Sequence, residues 1–262
     1  MRYDFIIGID PGYATLGLAI IDLRNGRPQF VHMSSALTVK TVKAPTSKEK
    51  KQLKIKFPIE EFQEREETFQ RINLLADYVR GAIRHVCNPI FKLNALIVIE
   101  EWTASPNARY VKTIYYRGAA DAAVRQVVNM YGAQTLTVDN IWVNQFSNVQ
   151  GKKTIDKDNP TPMEILLCIQ MLCPWLNGFD VQQWLEHRGT AHTLNGSRQQ
   201  KGVPEKAKLH YADAAVMATM GVLAIDPDLA GQRPPNQMEK LSYLWERLRE
   251  VQDHDLRQRS GN

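Results

Sequence analysis

Residues 5–22 read Phe5-Ile6-Ile7-Gly8-Ile9-Asp10-Pro11-Gly12-Tyr13-Ala14-Thr15-Leu16-Gly17-Leu18-Ala19-Ile20-Ile21-Asp22. Two apolar runs flank a Pro-Gly pair, the pattern of a strand, a turn and a returning strand. Asp10 ends the first run. A carboxylate buried at a strand end is costly unless something cationic meets it. The hairpin therefore either presents a metal ligand or approaches a phosphate, and its own residues do not choose between the two.

Working outward, residues 29–36 form a third strand, joined to the second by Asn25-Gly26, a strong hairpin signal. Residues 38–60 are lysine-rich, carry Pro45 and Pro58, and read as an exposed loop or flap. From 62 to 86 the period becomes helical, with Phe69, Ile72, Leu75, Ala76, Val79, Ile83 and Val86 on one face. Leu93 to Glu100 is a buried strand. Residues 110–131 are a helix whose small residues, Gly118 to Ala123, suit close packing on a sheet. Residues 133–139 are a further strand. Three strands, helix, strand, helix, strand describe an α/β fold in which an antiparallel meander precedes parallel crossovers.

Farther on, a short helix fits 162–172, and residues 188–205 are polar. A core helix rich in Ala and Met spans about 205–224 and stops at Asp226-Pro227. Leu241, Leu244, Trp245, Leu248 and Val251 mark an amphipathic C-terminal helix. The expected organisation is one domain over 1–225, with insertions at about 38–60 and 155–204, and a helical extension over 226–262.

With 262 residues, 44% of them hydrophobic, the chain has ample material for a core and none of the marks of global disorder. No apolar stretch is long enough to span a bilayer, and the N-terminus does not read as a signal peptide. Cys87, Cys168 and Cys173 form no CxxC pair, which excludes a zinc framework and fits buried thiols in a reducing, cytoplasmic setting. The net charge of +5 is mild, but seven lysines lie between Lys40 and Lys56 against Glu49 alone. Arg188, Arg198, Lys201, Lys206 and Lys208 form a second basic stretch. Such clusters attract polyanions, nucleic acid above all, although a charge run can also be a solvated loop.

Acids stand in places that buried structure disfavours. Asp10 ends the first strand and Glu100 the fourth, and the two strands are expected to be neighbours. His210 and Asp213 share one face of the last core helix at i, i+3 spacing. Singly, each has a plain structural reading: a turn cap, a solvated strand end, a polar helix residue, a surface acid. Held together, like carboxylates repel and persist only with shared protons or bound cations. Oxygen ligands without cysteine point to Mg²⁺ or Mn²⁺. Two such ions about 3.5–4 Å apart would clamp the attacking and leaving oxygens of a phosphoryl displacement.

Ile-Gly-Ile-Asp-Pro-Gly, then Ile-Val-Ile-Glu, then Arg117-Gly118-Ala119-Ala120, then His-x-x-Asp-Ala-Ala, resembles the RuvC family of Holliday junction resolvases, within the RNase H-like nucleases. The resemblance covers roughly 4–36, 62–155 and 205–224. It implies an RNase H-like fold on a five-stranded mixed sheet flanked by helices. It implies a crossover junction endonuclease of DNA recombination and repair that leaves 5′-phosphate and 3′-hydroxyl ends. Asp10, Glu100, His210 and Asp213 would be the catalytic residues and the ligands of two Mg²⁺ ions, with Mn²⁺ as substitute. The family carries Asp or His at the position of His210. Glu101, one residue out of register, should face away.

Basic residues after the fifth strand hold the DNA backbone in that family, and Lys152 and Lys153 occupy a similar place. Trp102 is a candidate wedge or a simple packing residue. Arg109 and Lys112 are further candidate DNA contacts. Branched DNA is the implied partner, and paired nicks on a two-fold symmetric junction imply a homodimer. The chain is longer than bacterial family members, in the manner of viral or organellar relatives. Two rivals stay open: an actin-like or sugar-kinase-type phosphotransferase, which shares the Gly-Ile-Asp-x-Gly hairpin, and a catalytically inactive junction-binding protein of the same fold.

Overall fold

A computed structural model describes residues 3–38, 57–89, 92–101, 111–139, 143, 161–176, 178, 180–184, 190–194, 205–229, 242, 246, 249 and 250. The strands are β1 (Phe5–Pro11), β2 (Thr15–Asp22), β3 (Gln29–Leu37), β4 (Ala95–Glu101), β5 (Gln134–Asp139) and β6 (Thr190–Thr193). The helices are α1 (Phe57–Cys87), α2 (Val111–Met130), α3 (Pro162–Leu172) and α4 (Glu205–Ile225). The sheet order is β5-β4-β1-β2-β3-β6. β1, β2 and β3 form the antiparallel meander, and β4 and β5 continue it in parallel from β1. This is the expected RNase H-like α/β architecture, enlarged by one strand.

That sixth strand corrects the sequence reading. Thr190–Thr193 lies in the segment taken as a polar insertion, yet it pairs in parallel with Ser34–Leu37 at the open edge of β3. Four polar or small residues carry no strand signal of their own; the exposed ladder of β3 supplies one. The stretch before it is also built into the body. Thr161 and Glu164 form a reciprocal capping box ahead of α3. Ile165, Leu166, Ile169, Cys173, Leu176, Val181 and Trp184 then join the core. α1 begins at Phe57, four residues inside the expected loop, and Pro58 is tolerated because the first helical turn needs no donor there.

Alternation along the strands divides the core into two layers. Ile7, Ile9, Leu18, Ile20, Ile97 and Ile99 face α1 and α2, meeting Leu75, Val79, Ile83, Val124 and Val128. Ile6, Ala19, Ile21, Leu96 and Val98 face α4. α4 lies between the sheet and the α3 layer, so residues 214–224 are buried all round. Its small side chains let its backbone descend onto the sheet at two glycines. A Cβ on Gly8 would stand 2.0 Å from the Ala214 carbonyl oxygen, and one on Gly17 would stand 1.8 Å from that of His210. Here glycine serves close backbone approach. α2, whose small residues were read as suited to close packing on a sheet, does not pack so at its own glycine, since Gly118 is exposed with open space around its Cβ position.

All three cysteines are buried and free, and burial pushes the Cys87 thiol up to about 12. No helix among the described residues is long and apolar enough to cross a membrane. In the C-terminal stretch, positions 242, 246, 249 and 250 are helical, and its apolar residues lie outside the described ones.

Candidate active site

β1 and β4 run in parallel with Ile9 opposite Ile99, so Asp10 and Glu100 follow side by side at the same end of the two central strands. Both side chains continue the α4-facing alternation, and both residues are buried, at 4% and 8% exposure. A hydrogen bond links them. On the other side of Asp10, the antiparallel partner is Gly17. That glycine is where the first described turns of α4 touch the sheet, so the contact sets His210 directly above Asp10. The His210 Nδ1 lies 2.5 Å from Asp10 Oδ2. One turn on, half-buried Asp213 shares the same face. Three segments distant in sequence thus bring the four expected residues together.

The electrostatics show a crowded set of acids with a cation lodged among them. Burial alone would raise Asp10, but the His210 hydrogen bond and charge, the bond from Glu100 and the charge of Arg117 outweigh it, and Asp10 is held below the usual carboxylate range. Burial would lower His210, and the bond and charge of Asp10 reverse that, so His210 is held above its ordinary value. Asp213 has no direct cationic partner of that kind among the described residues. Burial of its carboxylate and the negative charge of Asp10 push it up to about 7, against only a partial offset from His210. The surroundings therefore favour the protonated form of Asp213 and the charged forms of Asp10 and His210.

In kind, these donors suit a hard divalent cation: three carboxylates, one imidazole and no thiol. Their repulsion is the sort that a cation relieves. As they stand, no three His, Cys, Asp or Glu side chains among the described residues are arranged to hold a metal ion. The His210 Nδ1–Asp10 Oδ2 hydrogen bond engages one donor atom of each residue.

Arg117 is a residue the sequence reading cited only as part of a motif. It lies on α2, and its charge acts on both Asp10 and His210. Gly17 is a second omission; a glycine inside an otherwise apolar strand was the available signal. Glu101 ends β4, opposite Asp139. Lys112 lies in the first turn of α2. Trp102, Arg109, Lys152 and Lys153 lie outside the described residues.

No family model matches the sequence, and no curated protein matches it. Among solved structures, the chain is similar to RuvC of Thermus thermophilus in complex with a Holliday junction substrate, at 16% identity and a TM-score of 0.43, over 86% of this chain and 97% of that one. It is also similar to the yeast mitochondrial Holliday junction resolvase, at 8% identity and a TM-score of 0.35, over 95% and 85% of the two chains. An exopolyphosphatase from Cytophaga hutchinsonii aligns over 56% of this chain and 39% of its own, at 10% identity and a TM-score of 0.30. These likenesses are too distant to transfer an activity, and the fold rests on the strand order and register described above.

Proposed function

We propose that the chain is a metal-dependent, structure-selective DNA endonuclease that resolves four-way junctions by paired phosphodiester hydrolysis, leaving 5′-phosphate and 3′-hydroxyl ends. The observation that carries the reading is the convergence of Asp10, Glu100, His210 and Asp213 at one end of the central strands, with Asp213 pushed up to about 7. A phosphate cradle of the kinase type would need backbone amides and no such excess of acids.

The surroundings of the site support a polyanionic substrate. β1, β3, β4, β5 and β6 all run in one direction, so their carboxyl ends share the side where Asp10 and Glu100 stand. Ligands of open α/β sheets gather at that end. The lysine-rich stretch follows β3 there, the segment with Trp102 and Arg109 follows β4, and that with Lys152 and Lys153 follows β5. Basic residues fed from that edge would hold the DNA backbone, and affinity should fall steeply with salt.

Asp10, Glu100, Asp213 and His210 would hold two Mg²⁺ ions, with Mn²⁺ as substitute. When bound, such ions polarise the scissile phosphate and stabilise charge on the leaving oxygen. The chain's own part is to present Asp10 ionised and to release the Asp213 proton. Low pH opposes both, so cleavage should rise with pH through about 7. Paired nicks on a two-fold symmetric junction call for a homodimer with two such sites.

Synthetic four-way junctions, duplex and single strands incubated with the protein in Mg²⁺ test the proposal, beside Asp10→Asn. The expected result is paired nicking of junctions by the wild type and almost none by the variant. Absence of nicking in both Mg²⁺ and Mn²⁺ would defeat it. ATP hydrolysis without cleavage would favour the phosphotransferase, and junction binding without cleavage the inactive module.

A further inference from the structure

The end of β3 carries a polar clamp that none of the catalytic roles above uses. Arg71 of α1 is buried, at 7% exposure, and its guanidinium donates twice to one residue. Nε donates to Thr38 Oγ1 at 2.9 Å, and Nη2 donates to the Thr38 carbonyl oxygen at 2.9 Å. Thr38, at 6% exposure, stands one residue past Leu37, which pairs with Thr15 at the end of the β2–β3 ladder. It passes the grip onward. Its N–H donates to the Ala14 carbonyl oxygen at 2.8 Å, and its Oγ1 donates to the same oxygen at 3.3 Å. The amide, hydroxyl and carbonyl of Thr38 are thereby all engaged.

Ala14 lies in the connection between β1 and β2, which leaves β1 directly after Asp10 and Pro11. That turn folds closely on itself, since a Cβ on Gly12 would stand 2.2 Å from the Thr15 carbonyl oxygen. A buried guanidinium is a costly way to fasten a helix to a sheet, and Leu75, Val79 and Ile83 already join α1 to these strands. What the guanidinium adds is direction: its planar fork fixes two acceptors at once, and it stays charged at any working pH. The arginine charge that bears on Asp10 is that of Arg117, so the link from Arg71 runs through hydrogen bonds. We propose that Arg71 is a positioning residue for the acid site: through Thr38 and Ala14 it sets the β1–β2 turn, beside which the scissile phosphate binds. The proposal rests on the nuclease reading. Asp10 itself is held by its pairing with Gly17, and β1 by its parallel ladder with β4. Loss of the clamp should therefore displace the turn and leave the acids in place.

The test measures four-way junction cleavage in Mg²⁺ by Arg71→Lys, Thr38→Val and the double variant, each below its melting temperature, with Mn²⁺ uptake followed alongside. Lysine keeps the charge and lacks the fork, and valine keeps the carbonyl and lacks the hydroxyl. Arg71→Lys should lower kcat about tenfold, with KM for the junction and Mn²⁺ uptake unchanged. Thr38→Val should lower kcat less. Because Arg71 acts through Thr38, the double variant should fall no further than Arg71→Lys alone. A merely structural loss would lower Mn²⁺ uptake and turnover together. If the wild type cleaves and Arg71→Lys cleaves equally, or the two losses add, or Mn²⁺ uptake falls in step with turnover, the positioning role is overturned and the nuclease reading stands. If Arg71→Lys does not fold, Thr38→Val decides: lowered turnover at full Mn²⁺ uptake supports the role, and wild-type turnover overturns it. If the wild type cleaves no junction in Mg²⁺ or Mn²⁺, both readings fall.

Discussion

On the α1–α2 face the sheet presents Ile7, Ile9, Ile20 and Ile97, and the helices stand off at the distance those side chains set. On the α4 face, Gly8 and Gly17 let backbone meet backbone. The first face holds the fold by apolar volume, and any well-packed set of similar size would serve. The second fixes the height and register of one helix, and with it the position of His210 over Asp10. Precision at the site is therefore built by removing side chains from the sheet, and not by adding polar contacts around the acids.

Gly17→Ala should break that arrangement most severely. Its methyl would meet the His210 carbonyl carbon at 2.2 Å as well as the oxygen. Because the obstacle is backbone, the cost should exceed the roughly 1–3 kcal/mol of ordinary overpacking. Denaturant unfolding would show a large loss of stability, and any folded fraction should have lost the His210–Asp10 contact. Gly8→Ala should behave similarly, with its methyl against the Ala214 carbonyl.

A second and smaller effect comes from pH. The folded-state value of Asp213, about 7, lies above the 3.8 of an unconstrained aspartate. The folded protein then binds the extra proton between those values, and stability falls as pH rises through them. His210 is also raised, so its contribution is full below 6.5 and is lost as pH climbs past its folded value. Asp10 is lowered, and its contribution is lost only as pH falls below the ordinary carboxylate range. Without metal, the melting temperature should be lower at pH 8 than at pH 5.5. Asp213→Asn should shrink that difference and raise the pH 8 value. An unchanged slope would remove Asp213 from the explanation.

The mildest test lies on the helices of the opposite face. Gly81 of α1 and Gly118 of α2 are exposed, with nothing within 4 Å of their Cβ positions. Alanine at either should stabilise the protein by about 0.5–1 kcal/mol, the helix-propensity gain. Glycine would thus show opposite signs on the two sides of one sheet.

Much of this was legible in the sequence. β-branched runs, the Asn25-Gly26 turn and the helical periods located five strands and four helices, because each signal is local. Asp10 and Glu100 stood out as acids closing apolar strands, and His210 and Asp213 by their spacing. Three features were not local and so were hidden. The strand at Thr190–Thr193 owes its existence to the free edge of β3. The partners of Gly8 and Gly17 lie about two hundred residues away. Small residues in α2 and α4 look alike in sequence, yet only α4 uses them to descend onto the sheet.

In the proposed function, α4 completes a cation site with the ends of β1 and β4. Titration of the protein with Mn²⁺ at pH 7.5, followed by the loss of free-ion EPR signal, tests it most directly. Binding should be saturable in the wild type, lost in Asp10→Asn and weakened in Asp213→Asn. Equal Mn²⁺ uptake by the wild type and Asp10→Asn, or none by the wild type, would contradict it.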